Sequence, residues 1–408
     1  MSTPQKMSGE RMMDLLKQIA ESFSPSAPID QKALFAGRID QFVQVINAIS
    51  QKGQHVILYG ERGVGKTSLA TVIAQLHRGQ AHVMGACRIN CDQTMDFTAL
   101  WRTALREIPI SSPGQLGIGF TSSQSIQTNT LADYLPPVVT PDDIRHLLQR
   151  IGKTIIVFDE LDRIEDKKTA TLMADTVKTL SDHAVNTTLI LVGVADSVET
   201  LIEEHQSVER ALVQIRMPRM NQVELTEIIE KGANNSHMTI DSKASKRIVA
   251  LSQGLPQYVH SLSLHAFQHA AQRLSSSVSI SDVREAINRA LNTAQQTTIS
   301  TYHRATSSPR ENLYPQVLLA CAMAKPDDMG YFAAADVRAP LSLIMGRPYE
   351  INAFSQHLNA FCDPDRGPVL QRLGLPRRYR FRFLNPLMQP YVTMHGVDKG
   401  MISDAALE

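Results

Sequence analysis

Four cysteines among 408 residues (Cys87, Cys91, Cys321 and Cys362) are too few and too scattered for a disulfide framework, and no two form a CxxC pair. No apolar run approaches the roughly 18 residues that a membrane helix needs. The opening stretch Met1–Ser22 also lacks the uninterrupted apolar core of a secretory signal. Excess charge of one sign is missing as well: 41 Lys plus Arg oppose 40 Asp plus Glu, a formal +1. No global field drives such a chain onto nucleic acid or an anionic membrane, so any such contact must come from a local patch. The sequence shows no internal repeat. What remains is 43% hydrophobic and 20% charged, ordinary for a globular protein and too apolar for a disordered one. At about 150 residues per domain, the length predicts two or three domains. The expectation is a reduced, soluble, cytoplasmic protein with no membrane partner.

Residues 1–30 hold a short amphipathic segment, in which Met12, Leu15, Leu16 and Ile19 share one helix face, and then the Ser/Pro stretch Ser22–Pro28. It reads as an N-terminal helix packing on the next domain in preference to a partner-binding helix. From 31 to 220, short β-branched runs alternate with helical patterns. The runs are His55–Tyr59, His82–Met84 continuing to Ile89, Thr154–Phe158 and Thr188–Val192. Continuous apolar strands, each followed by a helix, predict a parallel sheet buried on both faces, an α/β nucleotide-binding layout. Inside it, Ile108–Val139 is rich in Ser, Thr, Gln, Gly and Pro, with Asp133 its only charged residue. Such a stretch is either a flexible surface insertion or a partner-contacting loop. Residues 221–300 read as all-helical, with apolar stripes such as Leu225, Ile228 and Ile229, or Val283, Ile287 and Leu291. The polar run Asn292–Arg310 reads as a linker, 311–395 as a third unit and 396–408 as a tail.

Gly60-Glu61-Arg62-Gly63-Val64-Gly65-Lys66-Thr67-Ser68 matches G-x-x-x-x-G-K-[ST], directly after the strand at 55–59 and opening a helix. Glycines let successive backbone N–H groups turn inward onto phosphate oxygens at the positive end of that helix. Lys66 would reach the β- and γ-phosphates, and the Thr67 hydroxyl would hold Mg2+. The apolar strand at 154–158 ends in Asp159-Glu160. Asp159 suits Mg2+ through water, and Glu160 suits polarisation of the attacking water. The plainer reading, a solvated acidic turn with Asp162, Glu165 and Asp166 nearby, leaves the phosphate loop without its carboxylate partner.

With these motifs the chain resembles the AAA+ ATPases, specifically the branch of origin-recognition initiators and their bacterial relatives. The resemblance covers about 31–395 and implies a P-loop parallel-sheet nucleotide domain, an all-helical lid and a C-terminal winged-helix domain. Phe35-Ala36-Gly37-Arg38 resembles the family's box against the adenine, which adds Gly37 and Arg38 to the nucleotide-binding residues. Asp196 stands at the sensor 1 position, usually a polar residue such as Asn. An ionised carboxylate only accepts hydrogen bonds, so the expectation for Asp196 is to orient water or an arginine. At the sensor 2 position, normally arginine, the lid has Gln257, which removes one charge-assisted phosphate contact and implies slow hydrolysis. Gly254-Leu255-Pro256 resembles the lid of STAND signalling ATPases, where the proline contacts nucleotide. Ser207–Arg210, ahead of Ile215–Met220, is similar to the family's finger region, and Arg210 is the candidate finger supplied to a neighbouring subunit.

Near the C-terminus, Tyr379-Arg380-Phe381-Arg382-Phe383 alternates with period two, and six arginines (Arg366, Arg372, Arg377, Arg378, Arg380, Arg382) occur without an acid among them. Aromatics turned into a core would leave the arginines outward. Before it, Ile351, Phe354, Leu358 and Phe361 share one helical face, with Asn352 and Gln356 elsewhere. The pair resembles a winged helix, 350–361 as recognition helix and 377–383 as wing. Asn352 and Gln356 would then read base edges, and Arg377, Arg378, Arg380 and Arg382 would neutralise phosphates. A solvated strand face on a protein-docking domain fits equally. The whole predicts an ATP- and Mg2+-dependent ATPase of low turnover. It would form a homo-oligomer through its ATP interface and act as a DNA-associated, initiator-like or transposition-helper-like switch. The alternative is a STAND-like signalling or anti-phage defence ATPase whose winged helix binds a protein effector.

Overall fold

The computed structural model describes residues 9–25, 36–78, 83–109, 130–194, 206–308, 312–327, 329–375 and 378–403. In chain order, α1 (Gly9–Ser22) precedes α2 (Ile39–Ile49), β1 (His55–Tyr59), α3 (Lys66–His77), β2 (Val83–Asn90) and α4 (Phe97–Arg106). There follow α5 (Pro141–Gln149), β3 (Lys153–Asp159), α6 (Lys167–Asp182), β4 (Thr187–Gly193) and β5 (Leu212–Arg216). Next come α7 (Gln222–Asn235), β6 (Thr239–Ile240), α8 (Ser242–Ser252), α9 (Pro256–Gln272), β7 (Ser277–Val278), α10 (Ile280–Asn292) and α11 (Gln296–Thr306). The last elements are α12 (Tyr314–Met323), β8 (Phe332–Ala333), α13 (Ala334–Met345), α14 (Ile351–Ala360), β9 (Leu370–Leu373), β10 (Arg380–Phe383) and α15 (Met388–Asp398). None of the described helices is long and apolar enough to cross a membrane.

Two compact units emerge. One comprises Arg38–Gly60 and Lys66–Met217; the other takes in Glu61–Gly65, the chain from Pro218 onward and the N-terminal residues through Gly37. The first unit is built on a five-stranded parallel sheet of order β2-β3-β4-β1-β5. Every residue of β4 is buried, which is why the sequence there reads as unbroken hydrophobicity rather than alternation. One face carries Ile156 and Phe158 into a core with α4, α5 and α6, where the fully buried Trp101 meets Phe158 edge-on at 5.2 Å. By strand alternation, Val157 and Asp159 turn to the other face, against which α3 packs. Strand β5, parallel to β1, is absent from the sequence reading. At the sheet edge only Leu212 and Ile215 of its five residues are buried, so no apolar run announces it. Of the stretch Ile108–Val139, residues 110–129 lie outside the described residues, and the two described ends carry structure. Pro109 bridges Thr130, a 3-10 turn spans Leu131–Tyr134, and Ile108, Leu131, Leu135 and Val139 join the core.

In the second unit, α7 to α10 share a core that also receives α1. Ile19 and Phe23 are fully buried, the Phe23 ring lies tilted against that of Phe267 with centroids 4.8 Å apart, and it fills a notch where a β-carbon on Gly232 would come within 2.2 Å. The amphipathic face of α1 was legible, but not its partner: it packs on the lid helices α7 and α9. The lid is not wholly helical, since β6 and β7 form a short parallel pair. The expected linker 292–310 contains α11, whose Thr298, Tyr302 and Ala305 are buried at helical spacing. The expected tail is partly structure too: α15 runs through Asp398, and Ile402 is buried in the C-terminal core. That core unites α12, α13, α14 and α15 with an antiparallel sheet of order β8-β10-β9, which receives Phe381 and Phe383.

Candidate nucleotide site

The phosphate loop leaves β1 at Gly60, whose φ of +154° and a would-be β-carbon 2.3 Å from the Met217 carbonyl oxygen admit only glycine. Gly65 closes the loop at φ +96°, and α3 begins at Lys66. Val64 is fully buried, and Arg62 is exposed. Lys66 folds back so that Nζ donates to the Gly60 carbonyl at 2.9 Å, and the next residue, Thr67, donates its hydroxyl to Asp159 Oδ1 at 3.3 Å. Ser68 follows, partly exposed.

Asp159 ends β3 with 1% exposure. Its Oδ1 also accepts the Glu160 backbone N–H at 2.9 Å, and Oδ2 accepts from Arg88 Nη1 at 2.9 Å. Burial pushes the Asp159 carboxyl up from its ordinary value, against the opposing pull of Thr67, Arg88 and the Glu160 amide. Hydroxyl and carboxylate oxygens are the hard donors that Mg2+ prefers. Among the described residues no group of three or more His, Cys, Asp or Glu gathers into a metal site. Glu160 adopts a left-handed backbone (φ 57°, ψ 40°) at the start of a short 3-10 turn. Its carboxylate accepts from Arg163 Nη1 at 2.9 Å, both side chains being half exposed.

Within the second unit, lid residues flank the loop. A β-carbon on Gly65 would lie 3.8 Å from Pro256 Cγ, and one on Gly63 would lie 3.8 Å from Gln257 Oε1 and 2.9 Å from Leu387 Cδ2. Tyr258 donates its hydroxyl to the Leu387 carbonyl at 2.6 Å. Gly37 donates its N–H to Glu227 Oε2 at 2.9 Å. Arg38, left-handed at φ 63°, occupies the N-cap position of α2 without a side-chain cap hydrogen bond and is 2% exposed. The structure thus gathers Gly63, Gly65, Pro256 and Gln257, and separately Lys66, Thr67, Asp159 and Glu160.

Asp196 and Arg377 fall outside the described residues. Arg210, 74% exposed along its side chain, forms an ion pair with Asp182 of the same chain. Sequence reasoning missed Leu387, Arg88 and Arg219. The first two lack any motif, whereas Arg219 stood in the stretch Ile215–Met220 already singled out.

The C-terminal arginines are less free than the alternation implied. Arg372 donates to Asn359 Oδ1 and lies 4.3 Å over the Tyr379 ring. Arg380 pairs with Asp327 at 3.1 Å, and Arg382 donates to Gln371 Oε1 while lying 4.8 Å over Tyr331. Arg378, Asn352 and Gln356 are exposed.

The family model described as Novel STAND NTPase 1 matches residues 26–325. No curated protein sequence matches significantly. Among solved structures, a Walker-type ATPase of Pyrococcus abyssi is 15% identical, with 90% of this chain and 98% of that chain covered and a TM-score of 0.52. The Aeropyrum pernix ORC2 protein, solved in ADPNP–ADP complexes, is 16% identical, covers 95% and 98%, and gives 0.49. The ORC1 protein of the same organism, solved in complex with DNA, is 14% identical, covers 93% and 96%, and gives 0.49. At such identity the likeness to the first speaks for the fold alone, and the other two carry no further inference. A family match over most of the chain, joined to a β2-β3-β4-β1-β5 sheet and a glycine-rich loop, decides the classification: the chain belongs to the Novel STAND NTPase 1 family and has a P-loop NTPase fold.

Proposed function

We propose that this chain is an ATP-binding, slowly hydrolysing switch whose copies associate under the control of nucleotide and Mg2+. The observation that carries the reading is the 3.3 Å contact between the Thr67 hydroxyl and Asp159, which joins two motifs 92 positions apart in one oxygen-rich corner. In this reading Lys66 leaves the Gly60 carbonyl for the β- and γ-phosphates, and Thr67 and Asp159 hold the cation. Bound Mg2+ supplies charge neutralisation at the phosphates. Glu160 orients and polarises water once Arg163 releases its carboxylate. Pro256 and Gln257 border the loop; an amide at 257 offers no formal charge, which is consistent with slow turnover. Arg210 is supplied to a neighbour's site, where a finger is worth about 10³-fold or more.

Calorimetry on the full chain tests this. ATP with Mg2+ is expected to bind and Lys66→Ala to abolish binding, while particle size rises with a slowly hydrolysed ATP analogue. No heat with wild-type protein, or heat unaffected by Lys66→Ala, overturns the reading.

The internal commitments of Arg372, Arg380 and Arg382 favour a protein effector for the C-terminal unit. A second reading, DNA contact, is favoured by the exposure of Asn352, Gln356 and Arg378. A salt titration separates them, because phosphate contacts release counterions. Binding to duplex DNA that weakens steeply with salt supports the DNA reading, and no binding at low salt refutes it.

A further inference from the structure

Arg88 stands on β2, in register with Val157 of β3, while Asn90 pairs with Asp159. Side chains in register on parallel neighbours share a face, so Arg88 and Asp159 emerge on the same side of the sheet. Arg88 Nη1 reaches Asp159 Oδ2 at 2.9 Å, with side chains 23% and 2% exposed. Oδ1 is occupied by the Thr67 hydroxyl and the Glu160 amide. Both oxygens of the carboxylate proposed to hold Mg2+ are therefore committed to protein donors, and one of those donors carries a full positive charge.

That charge has two opposing effects. It orients the carboxylate, which favours metal binding, and it repels a divalent cation, which disfavours it. Orientation is already provided by the two donors on Oδ1, so removing Arg88 leaves the carboxylate held. The repulsion has no substitute, and at a partly buried site it is screened far less than in water. Repulsion therefore outweighs orientation.

Resting on the nucleotide-binding reading above, we propose that the Arg88 guanidinium weakens divalent-cation binding at Asp159 by its charge. The metal then enters efficiently only with a triphosphate whose charge offsets the guanidinium. The chain would discriminate a metal–triphosphate complex from free metal through a residue on a neighbouring strand, outside both nucleotide motifs.

The test uses the full chain and a fluorescent ATP analogue, bound first in EDTA and then titrated with Mg2+, with Mn2+ binding followed in parallel by electron paramagnetic resonance. Arg88→Gln, which keeps a hydrogen-bonding amide but no charge, is expected to lower the half-saturating metal concentration by about tenfold or more. Arg88→Lys, which keeps the charge, is expected to stay within about threefold of wild type. Arg88→Met serves as the neutral variant if the glutamine variant does not fold. An unchanged or higher midpoint in the folded neutral variant overturns the proposal, as does a lysine variant that drops as far as the neutral one. Failure of the nucleotide reading looks different: wild type then binds no analogue with or without metal.

Discussion

Glu61, the second residue of the phosphate loop, is gripped by Arg219 through two contacts, Nε to Oε2 at 2.6 Å and Nη2 to Oε1 at 3.3 Å. The same guanidinium donates from Nη1 to the Gln253 carbonyl at 3.2 Å, one residue before the Gly-Leu-Pro segment of the lid. The two side chains are 17% and 13% exposed, so the pair is largely withdrawn from water. One planar fork thus ties the loop to the turn that leads into Pro256 and Gln257.

Truncating Arg219 removes a two-contact cationic partner from a mostly buried carboxylate. Arg219→Ala is expected to cost about 2–3 kcal/mol in a urea melt, the partial exposure keeping it at the lower edge of buried-pair losses, and to weaken ATP binding. Arg219→Lys should recover less than half of either, since a single ammonium does not reproduce the fork. Full recovery by lysine would show that charge alone matters.

Glu160→Gln separates binding from chemistry. The variant is expected to bind ATP as wild type does while phosphate release falls by about 10²-fold or more. Wild-type turnover would exclude Glu160 as the group that polarises water.

Arg210→Ala is expected to leave ATP affinity within about twofold and to reduce turnover by about 10³-fold at protein concentrations where copies associate. The exposed Arg210–Asp182 pair contributes under about 1 kcal/mol to stability, so the melt should barely move. Equal loss of binding and turnover would rule out the finger role.

Burial pushes His55 and His260 down to about 4. Unfolded histidines titrate near 6.5, so below that pH the unfolded chain takes up protons that the folded one resists. The associated stability is complete above about pH 6.5 and declines toward pH 4, by roughly 3 kcal/mol for each histidine. His55 accepts the Leu189 N–H on Nδ1 at 3.1 Å, a bond only the form unprotonated at that nitrogen makes. Urea melts between pH 7 and 4 should show the decline, and His55→Gln or His260→Gln should each flatten it. A slope unchanged in both variants would assign the acid sensitivity elsewhere.

The glycine-rich turn, the strand before it and the strand ending in Asp159-Glu160 were all legible from sequence, because each depends on neighbours within a few residues. Continuous apolar runs likewise exposed the buried strands β1, β3 and β4, and helical spacing exposed the buried face of α1. Strand β5 and helix α11 escaped for one reason: each buries only a few residues among polar ones, so its place rests on a partner distant in the chain. The outward arginines of β10 were correctly seen as a row, yet their engagement with Asp327, Tyr331 and Gln371 was not.

Residue spacing by itself determined that a glycine-rich turn of the phosphate-loop pattern and a paired-acid strand exist here. Only the tertiary structure decided what surrounds them. Arg88 meets Asp159 across 71 positions, and Arg219 meets Glu61 across 158. Such ion pairs follow from sheet register and from burial that lowers the local dielectric, properties that a linear pattern of residue types does not encode.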